Sequence, residues 1–434
     1  MKRKPTLIVL LCVLVVSGIA FGVWKMKRPV VLEIGIFTGS NWGVQAEDSY
    51  HIFDVAIKKF EQTHPGVKCH YTAGVRINDY SEWLASRFIE GKGPDVFLIL
   101  EKDFNLFASH GLLQNLDELL EKDASFSHEA FFQSALNAGH YGQHQYALPY
   151  EVDMQLMGVN VDLLEENGFA LPSQSWTWNQ FGTMVQALTK DSDGDGNLDT
   201  YGEYDYTWED AVFSNGVSIF SEDGKNAFLT DSRFVDSVRF LQRLRAIVPE
   251  QILSQRDFDQ GCIAFMPISF AQFRSYTSYP YTVSKEREYR WQFTTMPAGP
   301  KGDNVSRLET VLMAVSNSSS HAKLAYDFLM TCTYDSEIQM QIYSWGQGAS
   351  PLKSVTGNPQ SMALLQEKFA LDDKQYDEVV LTKVLSRTVS SPKFGKYDEA
   401  YALVDNGVNQ IITNQSNANA MLRSLQRQLA TILE

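Results

Sequence analysis

The sequence is poor in cysteine and short of positive charge. Its four cysteines, Cys12, Cys69, Cys262 and Cys332, share no paired spacing. Neither a zinc site nor a disulfide framework is indicated, and the last three are expected to be small buried residues. Lys and Arg number 37 against 52 Asp and Glu, a formal charge of -15. That balance excludes nucleic acid, because a phosphate backbone needs clustered cations. Catalytic signatures are missing as well: there is no G-x-S-x-G elbow and no phosphate-binding loop. His128-Glu129 opens like H-E-x-x-H, but Phe132 stands where the second His would be. Acidic residues are plentiful enough for a glycosidase-like pair, yet nothing singles one pair out. There is no internal repeat or low-complexity run, and no span-length apolar run after Trp24.

What is present describes a globular chain. Hydrophobic residues make up 44% and charged residues 21%, so disorder is excluded, and 434 residues are too many for one core. Two or three domains follow. Residues 1–28 form a distinct first segment. Lys2, Arg3 and Lys4 precede the uncharged run Thr6–Trp24. Its nineteen residues would reach about 28 Å as a helix, enough to cross a hydrocarbon core. A secretory signal peptide cut after Ala20 or Gly22 is the competing reading. The length, Trp24 at the interface and the following Lys25, Lys27 and Arg28 favour an uncleaved anchor with residues 29–434 outside. Cys12 follows Leu10-Leu11 rather than a small residue, which argues against a lipoprotein cysteine.

Val30–Phe37 reads as a first strand, ending in the polar loop Thr38–Gly43. Asp48 or Ser49 can cap a helix with Phe53, Ala56, Ile57 and Phe60 on one face, stopped at Pro65-Gly66. Val67–Tyr71 is a second strand. A helix around Tyr80–Glu90 leads to Val96–Leu100, an apolar run typical of a strand buried on both faces. This β-α-β-α-β order implies a parallel sheet, and ligands of such sheets sit beyond the carboxyl ends of the strands. Those ends carry Asn41, Trp42, Glu101 and Asp103.

The stretch Tyr146–Gly168 separates that α/β unit from a second one. It reads as a crossing between two lobes, with Tyr150, Glu151 and Asp153 facing the gap and Asn160 opening a helix. Further on, Thr177 and Gln180 predict a capping box, with Trp176 and Phe181 as its hydrophobic staple, so Trp176 is assigned to packing. Asp231–Pro249 is a long amphipathic helix. Cys262–Ile268, Arg290–Met296 and Thr310–Val315 are strands, Ser320–Cys332 is a helix, and residues 378–434 are mostly helical. Trp42, Tyr150, Trp208, Phe270 and Trp345 each lie in or beside a polar, turn-like stretch. Singly, each is explained by packing. As a set they suit sugars, whose C–H faces stack on aromatic rings while carboxylates and amides hold the hydroxyls.

Asp191-Ser-Asp193-Gly-Asp195-Gly-Asn197-Leu-Asp199 follows the calcium-loop pattern through nine positions. Asp191, Asp193, Asp195, the Asn197 carbonyl and Asp199 are the expected ligands of a structural Ca2+. The twelfth position is Gly202 rather than a bidentate Glu, which leaves Glu203, a loop carbonyl or water for the last place.

Several segments in order resemble the family 1 bacterial extracellular solute-binding proteins of carbohydrate ABC importers. They are FDVAIKKFEQTHPGVKCHY, GPDVFLI, YALPYEVDMQLMGVNVDLLEENGF, PSQSWTWNQF, DSDGDGNLDTYG, Gly261–Met266, MPAGPKGD, HAKLAYDFLM and Gly348-Ala-Ser-Pro351. The departures are Gly158-Val159 for the usual Tyr pair, Phe270 for a frequent Trp, and Glu309-Thr310 for paired glycines. The resemblance implies an α/β, periplasmic-binding-protein-like fold of type II, with discontinuous lobes behind the N-terminal transmembrane helix. Residues 29–147 with about 298–345 form one lobe, and 148–297 with about 346–434 the other. It implies a monomer that binds an oligosaccharide in the cleft and delivers it to permease subunits. The expected ligand-binding residues are Asn41, Trp42, Glu101, Tyr150, Asp153, Trp208, Phe270 and Trp345. An anchored receptor presenting its ligand to a sensor kinase, and an enzyme acting on polysaccharide, are the competing functions.

Overall fold

A computed structural model describes residues 29–45, 48–247, 253–276, 289–369 and 378–434. The candidate anchor at 6–24 lies outside those residues. Among the described residues no helix is long and apolar enough to cross a membrane.

The first sheet follows from three apolar strands separated by amphipathic helices. Strands β1 (Val30–Gly35), β2 (Val67–Tyr71) and β3 (Val96–Leu100) pair in parallel, with β1 in the middle. All five residues of β3 are buried, as a strand covered on both faces requires. The helix His51–Thr63 buries Ile52, Phe53, Ala56 and Phe60, and the helix Ile77–Ile89 buries Tyr80 and Leu84. The Tyr80 hydroxyl donates to the carbonyls of Gly35 and Leu98, fastening its helix to β1 and β3. A small hairpin, β4 (His140–Tyr141) with β5 (His144–Gln145), precedes the central strand.

That central strand, β6 (Ala147–Asn160), runs for 14 residues and is buried almost throughout. Its first half, through Met154, pairs antiparallel with β10 (Ser306–Val315), which also pairs with β3. From Gln155 onward β6 pairs with β8 (Ile263–Ser269), and from Met157 with β9 (Trp291–Thr294) on its other edge. Strand β7 (Tyr201–Glu203) adds in parallel to β8, and β11 (Thr388–Val389) pairs with the start of β10. The continuous order is therefore β2-β1-β3-β10-β6-β8-β7. One strand serves two sheet regions, and the change of partner falls between Met154 and Gln155.

Pro149 sits at an irregularity in this strand. Leu312 faces Pro149 and Val311 faces Glu151, so Tyr150 is the extra residue of a bulge. Proline lacks the N–H that a regular ladder would need there, and a bulge re-aims the side chains that follow it.

Local signals after the crossing hold in detail. The Asn160 side chain accepts from the Leu163 N–H and caps the helix Val161–Glu166. Thr177 and Gln180 form the capping box of the helix Trp178–Leu188, and the Trp176 and Phe181 rings lie 5.4 Å apart. Trp176 is fully buried and its Nε1 donates to the Thr295 carbonyl. The helix Ser232–Ile247 buries Phe234, Val238, Leu241 and Leu244. The C-terminal helices Tyr397–Thr413 and Ala418–Leu433 dock on it. There the Gln242 amide donates to the carbonyls of Ile411 and Ser416.

Candidate ligand-binding site

Two adjoining cavities open where β6 changes partners. The larger, about 180 Å³, is lined by Trp42, Asp153, Gln155, Ser269, Gln272, Arg307 and Glu309, with Met154 at its back. The smaller, about 50 Å³, is lined by Asn41, Trp42, Tyr150, Glu151, Trp345 and Gln347, among others. Trp42 contributes to both.

The bulge at Tyr150 builds the smaller cavity. The Tyr150 ring stacks on Phe53 with centroids 5.2 Å apart. Glu151 turns toward the 346–348 turn, and its Oε1 accepts from the N–H groups of Gln347 and Gly348 at 2.7 and 2.6 Å. Burial raises the Glu151 pKa, and those two N–H groups work against the rise. Ala349 and Val152 exchange backbone bonds of 3.0 and 2.7 Å alongside. Gly348 is required here, since a Cβ would sit 2.3 Å from the Val152 oxygen and 3.1 Å from the Trp42 ring. Trp345 stacks on His51 at 4.0 Å.

The larger cavity is charged. Asp153 is 3% exposed, and its Oδ1 accepts from the Met154 and Ala271 N–H groups at 2.9 and 3.0 Å. Burial pushes its pKa up to about 7. The Glu309 charge adds to the rise, while Ser269 and the backbone donors oppose it. Glu309 lines the same cavity and remains solvent-exposed. Arg307 is held by Glu209 at 2.9 Å and Asp210 at 3.4 Å.

Asn41, Trp42, Tyr150, Asp153 and Trp345 thus line the two cavities, and three other candidates do not. Glu101 is the first residue of the helix Glu101–Ser109; it pairs with Lys393 and accepts from the Thr310 N–H. Trp208 is 3% exposed, with Nε1 donating to Asp405 at 2.9 Å. Phe270 is fully buried and stacks on Phe273. For these two rings the apolar interior offers more buried area than a cleft wall does. Gln155, Gln272 and Arg307 were not among the candidates. For Gln155 and Arg307 the signal was a polar residue at every second position of an otherwise apolar strand, as in Asp153 and Gln155 or Arg307 and Glu309; Gln272, on the helix Phe270–Tyr276, carried no such signal.

The acidic loop is separate from these cavities. Carboxylate oxygens of Asp191, Asp193 and Asp195 lie within 4.8 Å of one another, the sole such group of three among the described residues. Gly194 and Gly196, at φ 79° and 92°, turn the loop so that both N–H groups reach Asp191. Asp199 instead accepts from the Ser192 N–H at 2.6 Å. Two features explain the missing twelfth-position ligand. A Cβ at Gly202 would lie 2.3 Å from the Val185 carbonyl oxygen. Glu203 is 1% exposed and engaged by Arg245, so it is not available to a cation in the loop. Three converging hard oxygens fit a calcium-type ion.

The fold is that of a mixed α/β, periplasmic-binding-protein-like molecule, with two cavities where β6 changes partners. The family model for bacterial extracellular solute-binding proteins matches residues 45–333. The chain belongs to that family. Among solved structures it resembles an ABC substrate-binding protein from Listeria monocytogenes in complex with cycloalternan. Identity there is 18% and the TM-score 0.67, over 93% of this chain and 98% of that one. It also resembles a cyclic α-maltosyl-1,6-maltose binding protein from Arthrobacter globiformis (12%, TM-score 0.76, 93% and 99%). The sugar-binding protein MalE from Xanthomonas citri is similar as well (14%, 0.74, 93% and 97%).

The buried Asp153 makes a testable contribution to stability. Between about pH 4 and 7 the folded protein keeps a proton that the unfolded chain has released, so stability falls as pH rises through that window. A rise from 3.8 to about 7 corresponds to at most about 4 kcal/mol. Asp153→Asn should remove this slope. Urea midpoints of variant and wild type should nearly coincide at pH 4 and separate in the variant's favour above pH 7. A constant difference across the range would show that Asp153 does not titrate there.

Proposed function

We propose that this protein captures an oligosaccharide between two lobes and delivers it to an ABC permease without chemical change. One lobe comprises residues 29–147 with about 298–345, the other 148–297 with about 346–434. The observation that carries the reading is Trp42, an aromatic wall common to two cavities whose other walls supply carboxylate, amide and hydroxyl groups. A ring face suits sugar C–H bonds, and Asp153, Gln155 and Gln272 suit hydroxyls. Family membership supports binding rather than catalysis. The solved structures named above are of a cycloalternan complex, a cyclic maltosyl-maltose binding protein and a sugar-binding protein. A thermal-shift screen of the full-length protein against oligosaccharides should find a ligand that raises the melting temperature. Trp42→Ala should weaken that ligand roughly tenfold, the equivalent of about 1.4 kcal/mol. No shift across the panel, or full affinity in the variant, sinks the reading.

A structural Ca2+ at Asp191, Asp193 and Asp195, with the Asn197 carbonyl and Asp199 completing the set, is part of the same proposal. The ion would fasten the helix Trp178–Leu188 to β7, which the loop connects. EDTA should lower the melting temperature of wild type and leave an Asp193→Ala, Asp195→Ala variant unchanged. Identical melting of wild type with calcium and with EDTA would reduce the loop to an acidic turn.

The segment Thr6–Trp24 is proposed to stay attached as a membrane anchor, holding residues 29–434 at the outer face of the membrane. Intact-mass spectrometry of membrane-extracted protein should find the N-terminal residues retained. A mature chain starting at Phe21 or Val23 would make the segment a cleaved signal peptide.

A further inference from the structure

The larger cavity carries an excess of negative charge built into the strand register. Glu309 of β10 stands directly opposite Asp153 of β6, and both side chains line the cavity. Like charges at directly opposed positions of an antiparallel pair repel, so such a pair needs a proton or a cation to be stable. Arg307 offsets part of the Glu309 charge through space, but no cation among the described residues forms an ion pair with either carboxylate. Arg307, the one cationic residue lining the cavity among the described residues, is taken by Glu209 and Asp210. Lys393 is taken by Glu101. Arg274, 2% exposed, donates to the carbonyls of Ile342, Tyr343 and Gly348. Neither Asp153 nor Glu309 has an ion-pair partner among the described residues. Asp153 is nevertheless buried, with hydrogen bonds only from its surroundings.

We propose that the ligand brings the missing cation: an oligosaccharide bearing a protonated amine that sits between Asp153 and Glu309. This rests on the sugar-binding reading above and names the sugar class. A compact ammonium offers three donors, enough for both carboxylates and the Gln155 or Gln272 amide oxygen. The face of Trp42 on the same cavity suits a cation as well as a sugar ring. A bare metal ion fits less well, because no third His, Cys, Asp or Glu completes a ligand set there among the described residues. Anionic sugars such as uronates are disfavoured by the same two charges.

The test is calorimetric titration of the full-length protein at pH 7.5, a working pH chosen above the Asp153 titration. The probes are glucose, galactose and mannose trisaccharides prepared in matched forms: hydroxyl, primary amine or carboxylate at the terminal C6. The amine form of at least one set should bind at least tenfold more tightly than its hydroxyl parent, and the carboxylate form should not bind. In a Glu309→Gln variant the ratio of amine to hydroxyl affinity should fall severalfold toward one, whatever the change in the hydroxyl parent's own affinity; an unchanged ratio overturns the amine proposal. Should hydroxyl and amine forms bind equally in wild type, the amine proposal is overturned and the sugar reading stands. Should no member of any set bind, the sugar reading falls and takes this proposal with it.

Discussion

Everything in this molecule depends on β6 belonging to two sheet regions at once. A strand fixes the direction of its side chains with a period of two, so a change of partner along one strand also fixes which residues face the boundary. Here the change falls between Met154 and Gln155. The residues nearest it, Asp153 and Gln155, have no alternative to lining the gap. The bulge at Tyr150 sets the aim of the residues that follow it, and Glu151 secures that aim by accepting two backbone N–H groups from residues 347 and 348. The strand face of the candidate site therefore rests on sheet geometry, while Trp42 reaches it from the loop 38–43.

That arrangement carries a stability cost. Two carboxylates, Asp153 and Glu309, oppose each other on adjacent strands, and burial works against the ionised form of Asp153. Buried charge without a counter-ion is destabilising wherever it is not needed. Its presence at the one boundary where two sheet regions meet fits the general pattern that binding sites depart from what packing alone would choose.

The sequence was most informative where one physical signal dominated. A β-branched run marked β1, alternation marked β2 and an unbroken apolar run marked β3, and the capping box at Thr177 located its helix to the residue. The long strand β6 was legible within Tyr146–Gly168, where Pro149 marks its irregularity. Shorter elements were hidden. The three residues of β7 carry no period that can be read, and the helix Glu101–Ser109 starts without a side-chain cap. Of the candidate rings, Trp42, Tyr150 and Trp345 reach the cavities, while Trp208 and Phe270 lie in the interior. Local sequence cannot make that distinction, because all five lie beside polar residues. Only the tertiary contacts, such as Asp405 with Trp208 across 197 positions, decide it. Glu309 could be noticed as a departure from glycine, but its alignment with Asp153 exists only once the register of β10 is set.

The strand order also sets a timetable. Strand β10 lies between β3 and β6, so the sheet begun by residues 30–100 stays open at one edge until residue 315 has been made. The helices Tyr397–Thr413 and Ala418–Leu433, the last to be synthesised, pack over Ser232–Ile247. Neither half can become a finished body while the chain is still emerging, because each waits for a segment far downstream. For a member of an extracellular solute-binding family, this topology postpones the compact state until nearly all of the chain has been made.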